Sequence, residues 1–266
     1  MGIRGYFSLL LMPEDRRISR KDFLMQRDKT TSVKFPKHDI APSETEPETT
    51  GALTKLEEWN KDFLGGPPEL FDRVGREQLI VLLEHGLTFS SYVLDIGCGC
   101  LRGGRWIIPL LDKGHYCGVE PQPGMVSKGL KQFIDPDMLT LKEPKFDYNE
   151  RFDFSVFGHK FTHFMARSIW SHASKPQIEL MLDGVAAWGE PNSVLLASFF
   201  RSFPLLRRDY QGHSWVGESH ESESVGVVAH DFKWIKRACQ QRGLSASIMH
   251  RPRVGGQIWA VVRKVK

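Results

Sequence analysis

Two acidic residues and two glycines are the first features of this sequence that indicate chemistry. Asp95, Gly97 and Gly99 follow a short apolar run that begins at Val93. Glycine allows a sharp turn and a close approach to a ligand, because it has no Cβ. A second acid, Glu120, ends another apolar run about 25 residues beyond Asp95, close to the ~20-residue offset at which an acid meets a ribose in nucleotide-binding units. The spacing therefore predicts a nucleoside site.

The glycine pattern argues against a dinucleotide ligand. A dinucleotide site uses the sequence Gly-x-Gly-x-x-Gly, whose third glycine allows close packing of helix on strand. Arg102 occupies that third position here, and the next glycines are Gly103 and Gly104. We therefore expect a nucleoside ligand without a tightly held pyrophosphate.

Apolar runs alternate with helical patterns along the chain, which predicts an α/β fold with a Rossmann-like, doubly wound sheet of seven strands flanked by helices. The strand at Val93 is followed by a helix that closes at Gly114. The other predicted strands are 116–120, 146–148, 161–166, 193–200, 245–250 and 257–262, and the other predicted helices are 53–63, 67–82, 122–133, 176–188 and 231–241.

These motifs resemble the class I S-adenosylmethionine-dependent methyltransferases, in a bacterial branch that acts on small molecules or glycans. The turn 95–99 and Glu120 match the family's cofactor motifs, and the stretch 152–174 is similar to the sequence after the family's fourth strand. The resemblance covers about residues 70–265 and implies an antiparallel last strand. Thr162 and Ser171 depart from the family pattern, at positions that do not hold the cofactor there.

The resemblance implies that S-adenosyl-L-methionine is the cofactor. The glycine turn would hold its methionine part, Glu120 the ribose and Asp153 the adenine amino group. The implied cofactor-binding residues are Asp95, Gly97, Cys98, Gly99, Arg102, Glu120, Pro121, Asp153, Phe154, Ala166 and Arg167. On the acceptor side we expect Ser168, His172, His213 and Trp215.

His172 is the candidate catalytic residue. A neutral imidazole beside the methyl donor could take the proton from an acceptor hydroxyl. The structural alternative is that His172 caps the helix beginning near Pro176, or orders its loop through hydrogen bonds. His213, His220 and His230 are rival bases, and we expect each to be a solvated loop histidine.

The chain divides by composition. Residues 1–50, rich in charge and in Pro, Ser and Thr, are expected to form a disordered or loosely docked extension. Residues 51–90 are expected to form a helical cap or lead-in, and residues 91–266 the methyltransferase domain. Within that domain, the long connection 201–229 is expected to be an acceptor-site lid, because structureless loops of this length are usually functional.

Composition also limits the classes of partner. The net charge of the 266-residue chain is +4, which is too small to predict nucleic-acid binding. The sequence has no apolar run long enough for a membrane span. Cys98 and Cys100 are too close together for a zinc knuckle, so we expect no metal, reduced thiols and a cytoplasmic location.

Together with these features, the resemblance implies an enzyme that transfers a methyl group from S-adenosylmethionine to a small-molecule or glycan-like acceptor. Oxygen is the predicted receiving atom, and the attack is in line with the sulfur–methyl bond. Two alternatives stay open. One is a non-catalytic S-adenosylmethionine-binding partner or regulatory protein, and the other is a methyltransferase for protein or RNA.

Overall fold

The structure is a computed structural model that describes residues 70–202, 209–217, 226–250 and 255–265. The predicted extension 1–50 and the predicted helix 53–63 lie outside the described residues, as does His220. In the ranges that are described, no helix combines the length and the apolar content needed to cross a bilayer.

Seven strands form one sheet, and two further residues extend it locally. The strands are β1 (Val93–Ile96), β2 (Tyr116–Val119), β3 (Lys145–Asp147), β4 (Phe161–Ala166), β5 (Gly189–Arg201), β7 (Leu244–Ile248) and β8 (Ile258–Lys264). Their order is β3-β2-β1-β4-β5-β8-β7, and the two-residue β6 (Ala229–His230) pairs with the end of β5. All pairings among the first five strands are parallel, whereas β8 is antiparallel to β5 and to β7. The predicted seven-stranded sheet with an antiparallel last strand is confirmed.

The strand order reverses between β1 and β4. From β1 the chain moves outward to β2 and β3, and then returns to β4 on the other side of β1. Helices on opposite faces diverge at such a point, which leaves a crevice at the carboxyl ends of the strands. The glycine turn after β1 and Glu120 after β2 lie at this edge.

Six helices flank the sheet in the described residues: α1 (Phe71–Glu84), α2 (Gly104–Ile107), α3 (Pro123–Phe133), α4 (Pro136–Lys142), α5 (Lys175–Trp188) and α6 (Phe232–Gln240). The helix predicted to run to Gly114 is wrong in length, because α2 is a single turn. Pro109 follows it closely and has no N–H to continue the ladder. Helix α4 was not predicted from the sequence.

Two helices begin where their capping residues predict. Asp231 accepts a hydrogen bond from the Lys233 N–H and begins α6. Ser174 begins α5 through a capping box, in which its hydroxyl accepts from the Gln177 N–H and its own N–H donates to the Gln177 side chain. Ser174, rather than His172, is therefore the cap of α5.

Helix α1 belongs to the same core as the sheet. Its Val81 and Leu82 pack in one buried cluster with Val93 of β1 and Leu101 of the glycine turn. Gly75 of α1 lies at the crossing with α2, where a Cβ would come under 3.0 Å from the Arg102 carbonyl oxygen. The close crossing therefore requires glycine at position 75.

We expect Gly75→Ala to lower the free energy of unfolding by about 1–3 kcal/mol, the usual effect of overpacking. The gain in helix propensity, about 1 kcal/mol, opposes this loss and does not remove the clash. Denaturant unfolding measures the change. Gly124→Ala is the matched control, because Gly124 is exposed in the first turn of α3 and its Cβ would meet nothing within 4 Å. Equal stabilities of the two variants would contradict the claim that the close crossing requires glycine at position 75.

Candidate active site

A pocket of about 470 Å³ lies at the switch point of the sheet. The segments that follow β1 to β5 each contribute to its wall. Its lining is Ile96 and Gly97 from β1 and its turn, Val119, Pro121 and Gln122 from the end of β2, Asn149, Glu150 and Phe152 after β3, Ile169 after β4, and Trp215 after β5. The pocket therefore lies where parallel α/β sheets bind ligands.

The glycine turn is bonded to the end of β2. The N–H groups of Gly97 and Cys98 donate to the Val119 carbonyl oxygen at 2.8 and 3.2 Å. The next N–H of the turn, that of Gly99, donates to the Glu120 carboxylate at 3.1 Å. Gly97 and Gly99 both have positive φ, +68° and +53°, as the sequence analysis predicted for a sharp turn.

Glu120 is held by two backbone groups. Its Oε2 accepts from Gly99 N–H and its Oε1 accepts from Gln122 N–H, both at 3.1 Å. Burial raises the pKa of Glu120, and these two hydrogen bonds oppose the rise. A carboxylate has about four acceptor positions, so Glu120 keeps capacity to accept from a bound ligand.

Asp95 lies beneath the turn and is almost fully buried. Its carboxylate accepts a 2.8 Å hydrogen bond from the Tyr116 hydroxyl, which connects β1 to β2. Burial raises the pKa of Asp95 to about 6, although the Tyr116 hydrogen bond and the charge of Arg102 oppose this. Burial also raises the pKa of the Cys98 thiol. The structure thus gives Asp95 a role within the protein, and cofactor contacts of Asp95, Cys98 and Arg102 stay predictions.

Ile169 covers Gly97. A Cβ on Gly97 would come under 3.0 Å from the Ile169 Cδ1 atom, so a side chain at position 97 would have to displace that of Ile169. Both residues line the pocket. The preceding Ala166 is buried at the end of β4.

The predicted adenine residues are not part of the described pocket lining, although the Asp153 backbone is hydrogen-bonded to the side chain of Asn149, which is. Asp153 is exposed, and its Oδ1 accepts from the N–H and the hydroxyl of Ser155, which begins a short 3-10 helix. Those hydrogen bonds lower the pKa of Asp153. Phe154 is fully buried in the core, 6.0 Å from Phe164 between ring centroids. Their adenine roles stay predictions.

Six residues of the pocket lining were not among the predicted site residues: Ile96, Val119, Gln122, Asn149, Glu150 and Phe152. Phe152 has φ +53° and its ring centroid lies 6.1 Å from that of Trp215. The signal that could have found this set is position, because each of its residues lies at the carboxyl end of a strand or within a few residues after it.

Arg167 is held by the protein. It is buried, its Nε lies 3.7 Å from the Glu77 Oε2, and its Nη1 donates to the hydroxyls of Ser168 and Ser198 at 3.1 and 2.9 Å. Burial lowers the pKa of Arg167 to about 10, so the guanidinium stays protonated at neutral pH. Its cofactor role stays a prediction.

His172 connects the turn after β4 to the segment after β5. Its Nδ1 lies 2.7 Å from the Val216 carbonyl oxygen, and the Val216 N–H donates to the His172 carbonyl oxygen at 2.8 Å. A carbonyl only accepts, so Nδ1 carries the proton. Val216 follows Trp215, and the contact therefore fixes Trp215 in the pocket wall.

These contacts correspond to the alternative in which His172 orders its loop. Burial lowers the pKa of His172, and the described pocket lining does not include it. The general-base role stays a prediction. His213 is exposed and outside that lining. The expectation that His230 is solvated is wrong, because it is fully buried and its Nε2 lies 3.0 Å from the Ala173 carbonyl oxygen.

Comparisons with known proteins place the fold. No protein-family model matches the sequence, and a search of curated proteins found no match. Among solved structures, magnesium protoporphyrin IX methyltransferase from Synechocystis, crystallised with S-adenosylmethionine, matches 84% of this chain and 100% of its own, with a TM-score of 0.54 and 13% identity. The chain has the class I methyltransferase fold.

Two further structures give the same result. A 1,6-didemethyltoxoflavin-N1-methyltransferase from Burkholderia thailandensis matches 85% of this chain and 93% of its own, with a TM-score of 0.55 and 13% identity. The N-methyltransferase NodS from Bradyrhizobium japonicum matches 80% of this chain and 98% of its own, with a TM-score of 0.53 and 14% identity. At such identities the likeness concerns the fold.

We expect Gly97→Ala to weaken S-adenosylhomocysteine binding at least about tenfold, a loss of 1.4 kcal/mol or more. The new Cβ must displace Ile169 from the pocket wall. Gly114→Ala is the matched control, because Gly114 has a similar φ of +74° but nothing within 4 Å of a Cβ. Calorimetric titration measures both affinities. If both variants bind like the wild type, the contact with Ile169 does not shape the binding site.

We expect His172 to contribute less to the free energy of unfolding at acidic pH than at neutral pH. Because burial lowers its pKa below the ordinary 6.5, the folded protein binds fewer protons than the unfolded chain as the pH falls below about 6.5. Stability is therefore lost between the ordinary pKa and the lower folded pKa, and is constant above the ordinary one. Denaturant unfolding of wild type and His172→Asn across pH should show their difference shrinking in acid. A pH-independent difference would contradict this.

Proposed function

We propose that the protein is an S-adenosylmethionine-dependent methyltransferase that acts on a small-molecule or glycan-like acceptor, with oxygen as the receiving atom. The observation that carries this proposal is the Glu120 carboxylate, which is held by backbone N–H groups of the glycine turn and of Gln122. Glu120 lies in sequence between Val119 and Pro121, which both line the pocket. An acid fixed in this way is suited to accept the two hydroxyls of a ribose. The similar structures named above include proteins crystallised with S-adenosylmethionine or its product, which supports the same ligand here.

The residues of the pocket fit such a cofactor. Phe152 and Trp215 offer aromatic surface for a base, and Gln122, Asn149 and Glu150 offer polar groups beside it. Gly97, which has no Cβ, would let the methionine part pass close to the backbone. The single charged residue in the described lining is Glu150, so no described cation opposes a sulfonium.

The cofactor, when bound, supplies a methyl group on a positively charged sulfur. The task of this chain is to align the acceptor with that methyl group and to exclude water. Ile96, Val119 and Ile169 provide apolar wall for this purpose. In this proposal His172 positions Trp215 and the loop, through the hydrogen bond to Val216.

We also propose that the connection 201–229 covers the acceptor. Trp215 lines the pocket, and Val216 is bonded to His172. A second attachment joins the Val228 N–H to the Ser171 carbonyl oxygen at 2.8 Å. Two described parts of this connection, at Val216 and at Val228, are thus held against the turn after β4, beside the pocket.

The proposal is tested by methyl transfer itself. The full chain is incubated with small-molecule extracts and with isotopically labelled S-adenosylmethionine, and labelled products are sought by mass spectrometry. A labelled small molecule together with S-adenosylhomocysteine supports the proposal. Cofactor binding without transfer to any small molecule would favour a regulatory binding protein. Label found in protein or RNA would favour a methyltransferase that acts on those macromolecules.

We expect Glu120→Gln to weaken binding of S-adenosylhomocysteine by about 1–3 kcal/mol, because a carboxylate accepts stronger hydrogen bonds from hydroxyls than an amide does. Calorimetry measures the affinity. Glu143→Gln is the control, since Glu143 is exposed and pairs with Lys113 on the surface. An unchanged affinity of the Glu120 variant would refute the ribose assignment.

A further inference from the structure

A chain of hydrogen bonds begins at the buried side chain of Arg167 and ends at a hydroxyl beside the pocket. Arg167 Nη1 donates to Ser198 Oγ at 2.9 Å and to Ser168 Oγ at 3.1 Å. Gln257 connects the two serines, with its Oε1 2.6 Å from Ser198 Oγ and its Nε2 2.9 Å from Ser168 Oγ. Ser168 is half-buried and precedes Ile169, which lines the pocket.

The direction of each bond follows from Arg167, because a guanidinium only donates. Ser198 Oγ receives hydrogens from Arg167 Nη1 and from the Ser168 N–H, the latter at 2.7 Å. Both of its lone pairs are then used, so the Ser198 hydroxyl donates to Gln257 Oε1. This fixes the orientation of the Gln257 amide, and its Nε2 must face Ser168.

The same reasoning fixes the Ser168 hydroxyl. Its oxygen receives hydrogens from Arg167 Nη1 and from Gln257 Nε2, which uses both lone pairs. Its own hydrogen is therefore free to donate, and so is the second hydrogen on Gln257 Nε2, which no described contact of Gln257 uses. The series of hydrogen bonds therefore ends in two adjacent donors, Ser168 Oγ and Gln257 Nε2, which lie 2.9 Å apart.

The protein holds this arrangement rigidly. The Arg167 side chain is 4% exposed and lies over the Trp259 ring, 5.5 Å from its centroid. The Trp259 N–H donates to Glu77 Oε1 at 3.1 Å, and the other oxygen of Glu77 faces Arg167. Glu77 of α1 and Trp259 of β8 hold the Arg167 guanidinium in place. Because the guanidinium only donates, the donor-to-acceptor direction of these hydrogen bonds cannot reverse.

We propose that Ser168 and Gln257 bind a carboxylate of the acceptor molecule and so determine its class. A carboxylate only accepts hydrogen bonds, and bonds to it are stronger than bonds to a neutral hydroxyl. The pair of donors therefore selects a small carboxylic acid over the corresponding alcohol. This inference rests on the proposed function, since it takes the space beside the cofactor pocket to be the acceptor site.

Acetate, acetone and ethanol are the probes, added at equal concentration to the full chain loaded with S-adenosylhomocysteine. Resonances of the Ser168 amide and the Gln257 side-chain amide are followed by NMR. Acetate is expected to shift both most strongly, the neutral acceptor acetone less and ethanol least. Failure of the protein to bind S-adenosylhomocysteine would count against the proposed function instead, and calorimetry establishes this beforehand.

The substitution Gln257→Glu reverses the hydrogen bond between residue 257 and the Ser168 hydroxyl. A glutamate at position 257 has no hydrogen to give, so the Ser168 hydroxyl donates to it and offers a lone pair to the ligand. Acetate binding should weaken at least about tenfold, the loss expected for a hydrogen bond to a charged group. Charge repulsion alone would do the same to acetate, but it leaves the neutral probes unaffected. Ethanol, which can donate a hydrogen, should therefore bind better in this variant than acetone, which only accepts.

Two further variants complete the test. Gln241→Glu adds the same charge at an exposed site and should retain the wild-type order of probes. Ser168→Ala should lose the preference for acetate while S-adenosylhomocysteine affinity is retained, and it serves if Gln257→Glu does not fold. Equal shifts with acetate and ethanol in the wild type, or no shift with acetate, would overturn the proposal, as would an unchanged order of neutral probes in Gln257→Glu.

Discussion

Glu120 is a carboxylate with little access to solvent, and the site depends on how the protein satisfies it. A buried charge without partners is costly, so the backbone around it must supply donors. Gly99 and Gln122 provide them from two segments that are adjacent only because β1 and β2 pair in parallel. The positive φ of Gly99, the end of β2 and the beginning of α3 are therefore coupled through one side chain.

A second buried group organises the other side of the site. Arg167 lies directly after β4 and is met by Glu77 from α1, Ser198 from β5 and Trp259 from β8. Breaking such a buried pair by removing one partner is strongly destabilising, because it leaves an uncompensated charge. The lead-in helix is consequently part of the site's support. It positions the turn that carries Ser168 and Ile169.

The loop after β5 is attached through hydrogen bonds from the turn after β4. His172 and Ser171 of that turn bind the backbone of Val216 and Val228. Short polar contacts of this kind allow a segment to be held in place without a large apolar interface. They bring Trp215 against Phe152 across the pocket, where neither residue is fixed by strand pairing.

The sequence by itself determined the strands, the glycine turn and the acid after β2. These follow from local rules: apolar runs of strand length, a glycine requirement at positive φ, and the position of an acid at a strand end. The capping residue of α6 was also predictable, because Asp231 acts on a backbone group two residues away. The short length of α2 could also have been predicted from the sequence, because Pro109 lies only two residues beyond its last residue, Ile107.

Only the tertiary structure decided which side chains line the pocket. Phe152 and Phe154 are two residues apart and chemically identical, yet the first faces Trp215 and the second lies in the core. Trp259 and Glu77, bonded to each other, are 182 residues apart. The pattern of a segment shows that its side chains must be buried or paired, but the partner is set by sheet order and helix crossing. The functions of Arg167, Ser168 and His172 depend on those long-range partners, and for that reason the local motif around them did not reveal their contacts.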